Sequence, residues 1–125
     1  MFIRNAMLPE GAPPSFERPI DLVHLARQTL GDRALEREVL DLFVIQTRSV
    51  LDQLQKTGDQ RGRMELAHTL KGSARSVGAW RVAAAAEVCE GLIAASDASW
   101  RAALDSLAVS IREALGAIGE LRYAA

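Results

Sequence analysis

The chain has 125 residues, of which 49% are hydrophobic and 5% aromatic, and a formal net charge of -1. That length supports one domain with its own core and excludes two ordinary ones. The near-neutral balance offers no global attraction to nucleic acid or to an anionic membrane. No apolar run approaches the roughly 18 residues that span a bilayer. The opening MFIRNAMLPEGAPP has no compact signal-type apolar region, so a cytoplasmic location is expected. With one cysteine, Cys89, and two histidines, His24 and His68, the chain cannot assemble a compact Cys/His zinc set, and no cofactor is expected to be bound by it. Cys89 reads as a small buried hydrophobe and His24 as a packed or surface residue.

All four prolines, Pro9, Pro13, Pro14 and Pro19, fall in the first nineteen residues. Residues 1–19 are therefore expected to form a flexible arm, with Phe2, Ile3, Met7, Leu8 and Phe16 available to lie on the body, and residues 20–125 the domain.

From Pro19 onward the signals are helical. In IDLVHLARQTLG, Leu22, Leu25, Ala26 and Thr29 recur at three- to four-residue spacing and stop at Gly31. Asp32 can cap a second helix whose expected inward stripe is Leu35, Val39, Leu42, Phe43, Val50 and Leu54, ending before Gly58. On its other side, Leu40, Val44 and Leu51 are expected either to cover the first helix or to form a docking or homodimer patch. Asp59 can start a third helix that gives way near Gly78. A fourth is expected from about Ala79 to Ala95, with Val82, Ala86, Cys89 and Ile93 on one face. Ser96 and Asp97 can cap a fifth, along which Trp100, Leu104, Leu107, Ile111, Leu115 and Ile118 repeat the spacing. Period-two alternation is absent, so the reading is all-α: an up-down-up-down four-helix bundle with an additional short N-terminal helix.

The stretch AHTLKGSAR, residues 67–75, sets a histidine, a lysine and a glycine inside the third helix. If that helix packs through Leu66, Leu70, Ser73, Ala74 and Val77, His68 lies about 160° from the inward face and meets water. Met64, Lys71, Gly72 and Arg75 surround it. Position alone leaves open both a plain surface histidine and a functional one. Gly72 costs a helix interior about 1 kcal/mol relative to alanine, and no turn is needed there. Its missing side chain leaves clearance one turn from the imidazole. Lys71 and Arg75 bring positive charge that can follow a phosphoryl group. Together these residues suggest histidine as a phosphoryl carrier, its neutral ring supplying a nucleophilic nitrogen near pH 7.

HTLKGSARSVGA at residues 68–79, followed by an alanine-rich helix containing CEGL, resembles the signature of histidine-containing phosphotransfer domains, the HPt family. The resemblance covers about residues 20–122, including DLFVIQTRSVLDQL in the second helix. It implies that His68 is phosphorylated, that Lys71 helps with phosphoryl charge, that Gly72 leaves room for the partner, and that Gly78 matches the family glycine closing that helix. Met64, Arg75 and Gly78 are the expected partner-docking positions. The chain departs from the family where a Leu-Glu pair is often found late in the fourth helix, offering Val88-Cys89-Glu90-Gly91. The implied partners are a response-regulator receiver domain, which would carry the acceptor aspartate and a Mg2+ ion, and a sensor or hybrid histidine kinase. With no Gly-rich phosphate loop, the chain is not expected to phosphorylate itself from ATP. A monomer is expected. The competing readings are a noncatalytic helical adaptor and a histidine-kinase phosphoacceptor fragment.

Overall fold

The structure, a computed structural model, describes residues 14–92 and 96–123, with side chains to residue 121. Among the described residues five helices follow in order: α1 Leu22–Gln28, α2 Arg33–Lys56, α3 Gln60–Val77, α4 Trp80–Gly91 and α5 Asp97–Tyr123. Among the described residues there is no strand, and no helix is long and apolar enough to cross a membrane. The molecule is an all-α helical bundle. The four longer helices alternate in direction, α4 packing between α3 and α5, α2 closing the bundle against the same two, and α1 lying on α3.

Local chemistry sets the starts. Asp21, Asp32 and Asp59 each accept a backbone N–H in the first turn of the helix they precede, from His24, Leu35 and Gly62 respectively. Ser96 does the same for Ser99 at the head of α5. The ends differ. α3 stops at Gly78, which takes a left-handed conformation with φ 81°. α4 stops at Gly91, earlier than Ala95, and Ile93 lies outside the described residues.

The core runs through Leu25, Leu54, Leu70, Val82, Leu107, Ile111 and Ile118, each no more than 1% exposed. On α2 the phase differs from the expected stripe. Leu40, Phe43, Val44, Thr47, Val50 and Leu54 are buried, whereas Leu35 and Leu42 are 41% and 66% exposed. Leu40 and Val44 are therefore core rather than a patch, and Leu51 is partly buried against that core. The reason is that α2 carries apolar residues on both sides, and the neighbours α3 and α5 decide which side is inward.

At the α1 end, the segment expected as the last part of the arm is tethered. Ser15 N–H donates to Asp21, and the guanidinium of Arg81 donates to the carbonyls of Phe16 and Glu17 at 2.8 Å each. Phe2, Ile3, Met7 and Leu8 lie outside the described residues.

Candidate functional site

The middle of α3 buries Ala67, Leu70, Ala74 and Val77 completely or nearly so. Every side chain a half-turn away is then forced outward, and the His68 side chain is 68% exposed. Leu66 and Ser73, expected inside, are half-buried, and Ala67 takes the deeper position.

Three ionisable groups converge here. The Nδ1 atom of His68 lies 2.5 Å from Oε2 of Glu90, and Nζ of Lys71 donates to Oε1 of the same carboxylate at 2.6 Å. The hydrogen bond from Lys71, and then that from His68, hold the Glu90 carboxyl below its ordinary value of 4.5. An ionised carboxylate can only accept, so the hydrogen-bond network assigns the imidazole proton to Nδ1 and leaves the Nε2 lone pair free.

Lys71, read from the sequence as a cation that can follow a phosphoryl group, is held in place. Its side chain is only 15% exposed, because it lies between α3 and α4 with its ammonium on Glu90. Arg75 takes the analogous position one turn on, paired with Glu87 at 3.1 Å with both side chains about half exposed. Gly72 is exposed, and a Cβ built there would meet nothing within 4 Å. Met64 is half-buried beside this surface.

Gly78 is elsewhere. It is buried, and a Cβ there would lie 2.8 Å from the carbonyl oxygen of Asp21. The Asp21 backbone N–H donates to the Gly78 carbonyl at 2.9 Å, and the Asp21 carboxylate accepts from Trp80 Nε1–H at 2.9 Å. Burial raises the Asp21 pKa, but the hydrogen bonds from Trp80, His24 and Ser15 outweigh it and leave the group below 3.8. Gly78 therefore has a structural occupation inside the molecule and presents no surface to a partner.

Glu90 is the site residue that sequence reasoning missed. The segment Val88-Cys89-Glu90-Gly91 registered only as a departure, although its glutamate is present and cysteine alone replaces the leucine. The available signal was topological: α3 and α4 are antiparallel and joined by two residues, so a group midway along α3 must face one late in α4. Cys89, next to it, points inward, and burial pushes its thiol up to about 11, which leaves it unreactive near neutrality.

His68 does not sit in a pocket. A groove of about 560 Å³ lined by Gln53, Thr57, Gly62, Leu66 and Thr69 runs along the α2–α3 seam and omits it. Among the described residues no cluster could hold a metal ion. An imidazole on an open helical surface suits reaction with a group presented by another macromolecule, not capture of a small molecule.

The all-α bundle thus displays, at the middle of α3, an exposed histidine oriented by a carboxylate. The family model described as Hpt domain matches residues 38–121, about two thirds of the chain, and the chain belongs to that family. Family and fold together support a phosphorelay role. Comparison with curated proteins and with solved structures returned no match.

Proposed function

We propose that this chain carries a phosphoryl group on His68, to or from an aspartate of a response-regulator receiver domain. The observation that carries the reading is the His68–Glu90–Lys71 chain, in which an exposed imidazole is oriented by a carboxylate that is itself neutralised by an ammonium. The Nε2 lone pair would attack phosphorus of the aspartyl phosphate. The N–P bond forms, the O–P bond breaks, and the aspartate leaves as a carboxylate. The Nδ1 proton stays in place throughout, and Glu90 balances the positive charge that develops on the ring. In the reverse direction neutral imidazole departs with that same proton. Glu90 is thus a positioning residue for His68.

Lys71 would serve first to cancel the charge of Glu90, which would otherwise repel an incoming phosphoryl group. Gly72 would give the receiver backbone its approach. Met64 and Arg75 would lie at the edge of the docked surface. A Mg2+ ion, expected on the receiver and not on this chain, would supply screening of the phosphoryl oxygens. The sensor or hybrid kinase would load the receiver or this chain. Two further features favour a carrier over a histidine-kinase fragment: the helices close on one core within one chain, and no second dimerising hairpin is required to complete it.

The test is to incubate the protein with a phosphorylated receiver domain and follow acid-labile, base-stable phosphate. The parent protein should acquire it, and His68→Gln should acquire none while keeping its helicity. Retained receiver binding with no phosphoryl signal on the parent would establish the adaptor reading instead. Glu90→Gln keeps an acceptor oxygen but lacks the charge, and should transfer about tenfold more slowly with receiver affinity unchanged.

A further inference from the structure

An exposed arginine stands seven residues to either side of His68, Arg61 before it and Arg75 after it. Seven residues fall about 20° short of two helical turns, so both lie on the His68 side of α3, each about 10.5 Å away along the axis. Each is paired with a glutamate. Arg61 donates to Glu65 within α3 at 3.2 Å, and Arg75 donates across to Glu87 of α4 at 3.1 Å. The two differ in direction. Helical side chains point back toward the N-terminus, so Arg75 leans toward the turn that holds His68 and Arg61 leans away from it.

A phosphoryl group on Nε2 of His68 would bring up to about two negative charges to this surface. Lys71 is not free to follow it. Its ammonium lies 2.6 Å from Glu90, the two side chains are 15% and 22% exposed, and its departure would strand a half-buried carboxylate beside the new charge. Arg75 has no such constraint. Its pair with Glu87 is one contact between half-exposed side chains, a weak interaction that water can replace on the glutamate. Phosphoryl oxygens, in contrast, can take two parallel N–H donors from a guanidinium, the stronger arrangement. Reach is sufficient: an extended arginine spans roughly 7 Å from its Cα and a phosphorylated imidazole about as much, which together exceed the axial rise of about 10.5 Å.

We propose that the Arg75–Glu87 pair is a latch that phosphorylation opens, the phosphoryl group on His68 drawing the Arg75 guanidinium off Glu87. The inference rests on the carrier reading of His68 and adds a role for Glu87. Whatever Glu87 gains by holding Arg75 in the free protein is subtracted from the stability of the phosphorylated one, so this glutamate sets how much of His68 stays phosphorylated. Arg75 is thereby a ligand of the carried group, Lys71 a fixed counter-ion of Glu90, and Glu87 a brake.

Phosphoramidate tests this without a receiver. Nε2 attacks phosphorus, the new N–P bond forms as the P–N bond of phosphoramidate breaks, and ammonia leaves. With phosphoramidate and ammonium both in large excess, the ratio of phosphorylated to free protein is read by intact mass and 31P NMR, counting only label that is absent from His68→Gln. Arg75→Ala should lower the ratio about fivefold and Glu87→Gln should raise it about threefold. Arg61→Ala, the matched control, should leave it unchanged. Arg75→Ala combined with Glu87→Gln should stay below the parent, because the ligand is gone whether or not the brake is present. In the parent, the Nε–H resonance of Arg75 should move on phosphorylation and that of Arg61 should not. Thermal melts confirm that these surface variants fold. An Arg75→Ala ratio equal to the parent's overturns the latch, as does a double variant restored to the parent ratio, which would mean that Arg75 only covers the charge of Glu87. Either result on a labelled parent leaves the carrier reading standing, whereas a parent that takes no label at His68 overturns both.

Discussion

Two glycines in α3 and its cap separate the two kinds of constraint on this chain. Gly78 has a positive φ and no space: a side chain there would strike the backbone of Asp21, and the same backbone supplies one hydrogen bond to it. Gly72, less than two turns away, has ordinary helical geometry and open space around it. Folding explains the first fully and does not explain the second. A glycine that the fold does not require, one turn from an oriented histidine, is what a reaction with a bulky partner would require.

The largest expected effect breaks the comparison from the structural side. Gly78→Ala places a Cβ in a left-handed residue against a backbone oxygen, and should cost about 2–4 kcal/mol in urea denaturation. Retained stability would show that the α1 corner can shift and that Gly78 is as dispensable to the fold as Gly72.

Next comes the functional side. Gly72→Gln should fold at least as stably as the parent and transfer phosphate roughly a hundredfold more slowly, because its side chain would enter the space that the proposed receiver partner would occupy. Gly72→Ala should gain about 1 kcal/mol of stability and lose less rate. Thermal melts paired with rapid-mixing transfer measurements decide the matter: normal transfer by Gly72→Gln would remove clearance as the reason for this glycine.

A smaller effect asks whether the rest of the core is as fully determined as the Gly78 corner. Thr47 is wholly buried and its hydroxyl has no hydrogen-bond partner. Thr47→Val keeps the shape and removes the unsatisfied group, and should raise stability by about 1 kcal/mol in the same denaturation experiment.

The smallest effect compares the two corners through their carboxylates. Asp21 and Glu90 are both held below their ordinary values. In each case the unfolded chain binds the proton more readily. The stabilisation is therefore complete above the ordinary values of 3.8 and 4.5 and is lost as pH falls through the lower folded ones. Glu90→Gln should flatten the stability curve below about pH 4.5 and leave it parallel to the parent above. An unchanged acid limb would mean that the contacts Glu90 makes with Lys71 and His68 contribute nothing to folding.

How much of this was legible in the residues depends on the range of the cause. Aspartate caps at residues 32 and 59, the helix stop at Gly78 and the outward direction of His68 are consequences of nearest-neighbour chemistry and a 3.6-residue period, and the sequence alone determined them. The phase of α2 was different. A helix with leucine, isoleucine or valine on two sides has two near-equal ways to face a core, and only the packing of α3 and α5 turned Leu40 and Val44 in and Leu42 out. The partners of Lys71 and the importance of Glu90 were likewise decided in three dimensions. The two residues are separated by nineteen positions, and their ion pair exists because the short turn after Gly78 folds α4 back along α3.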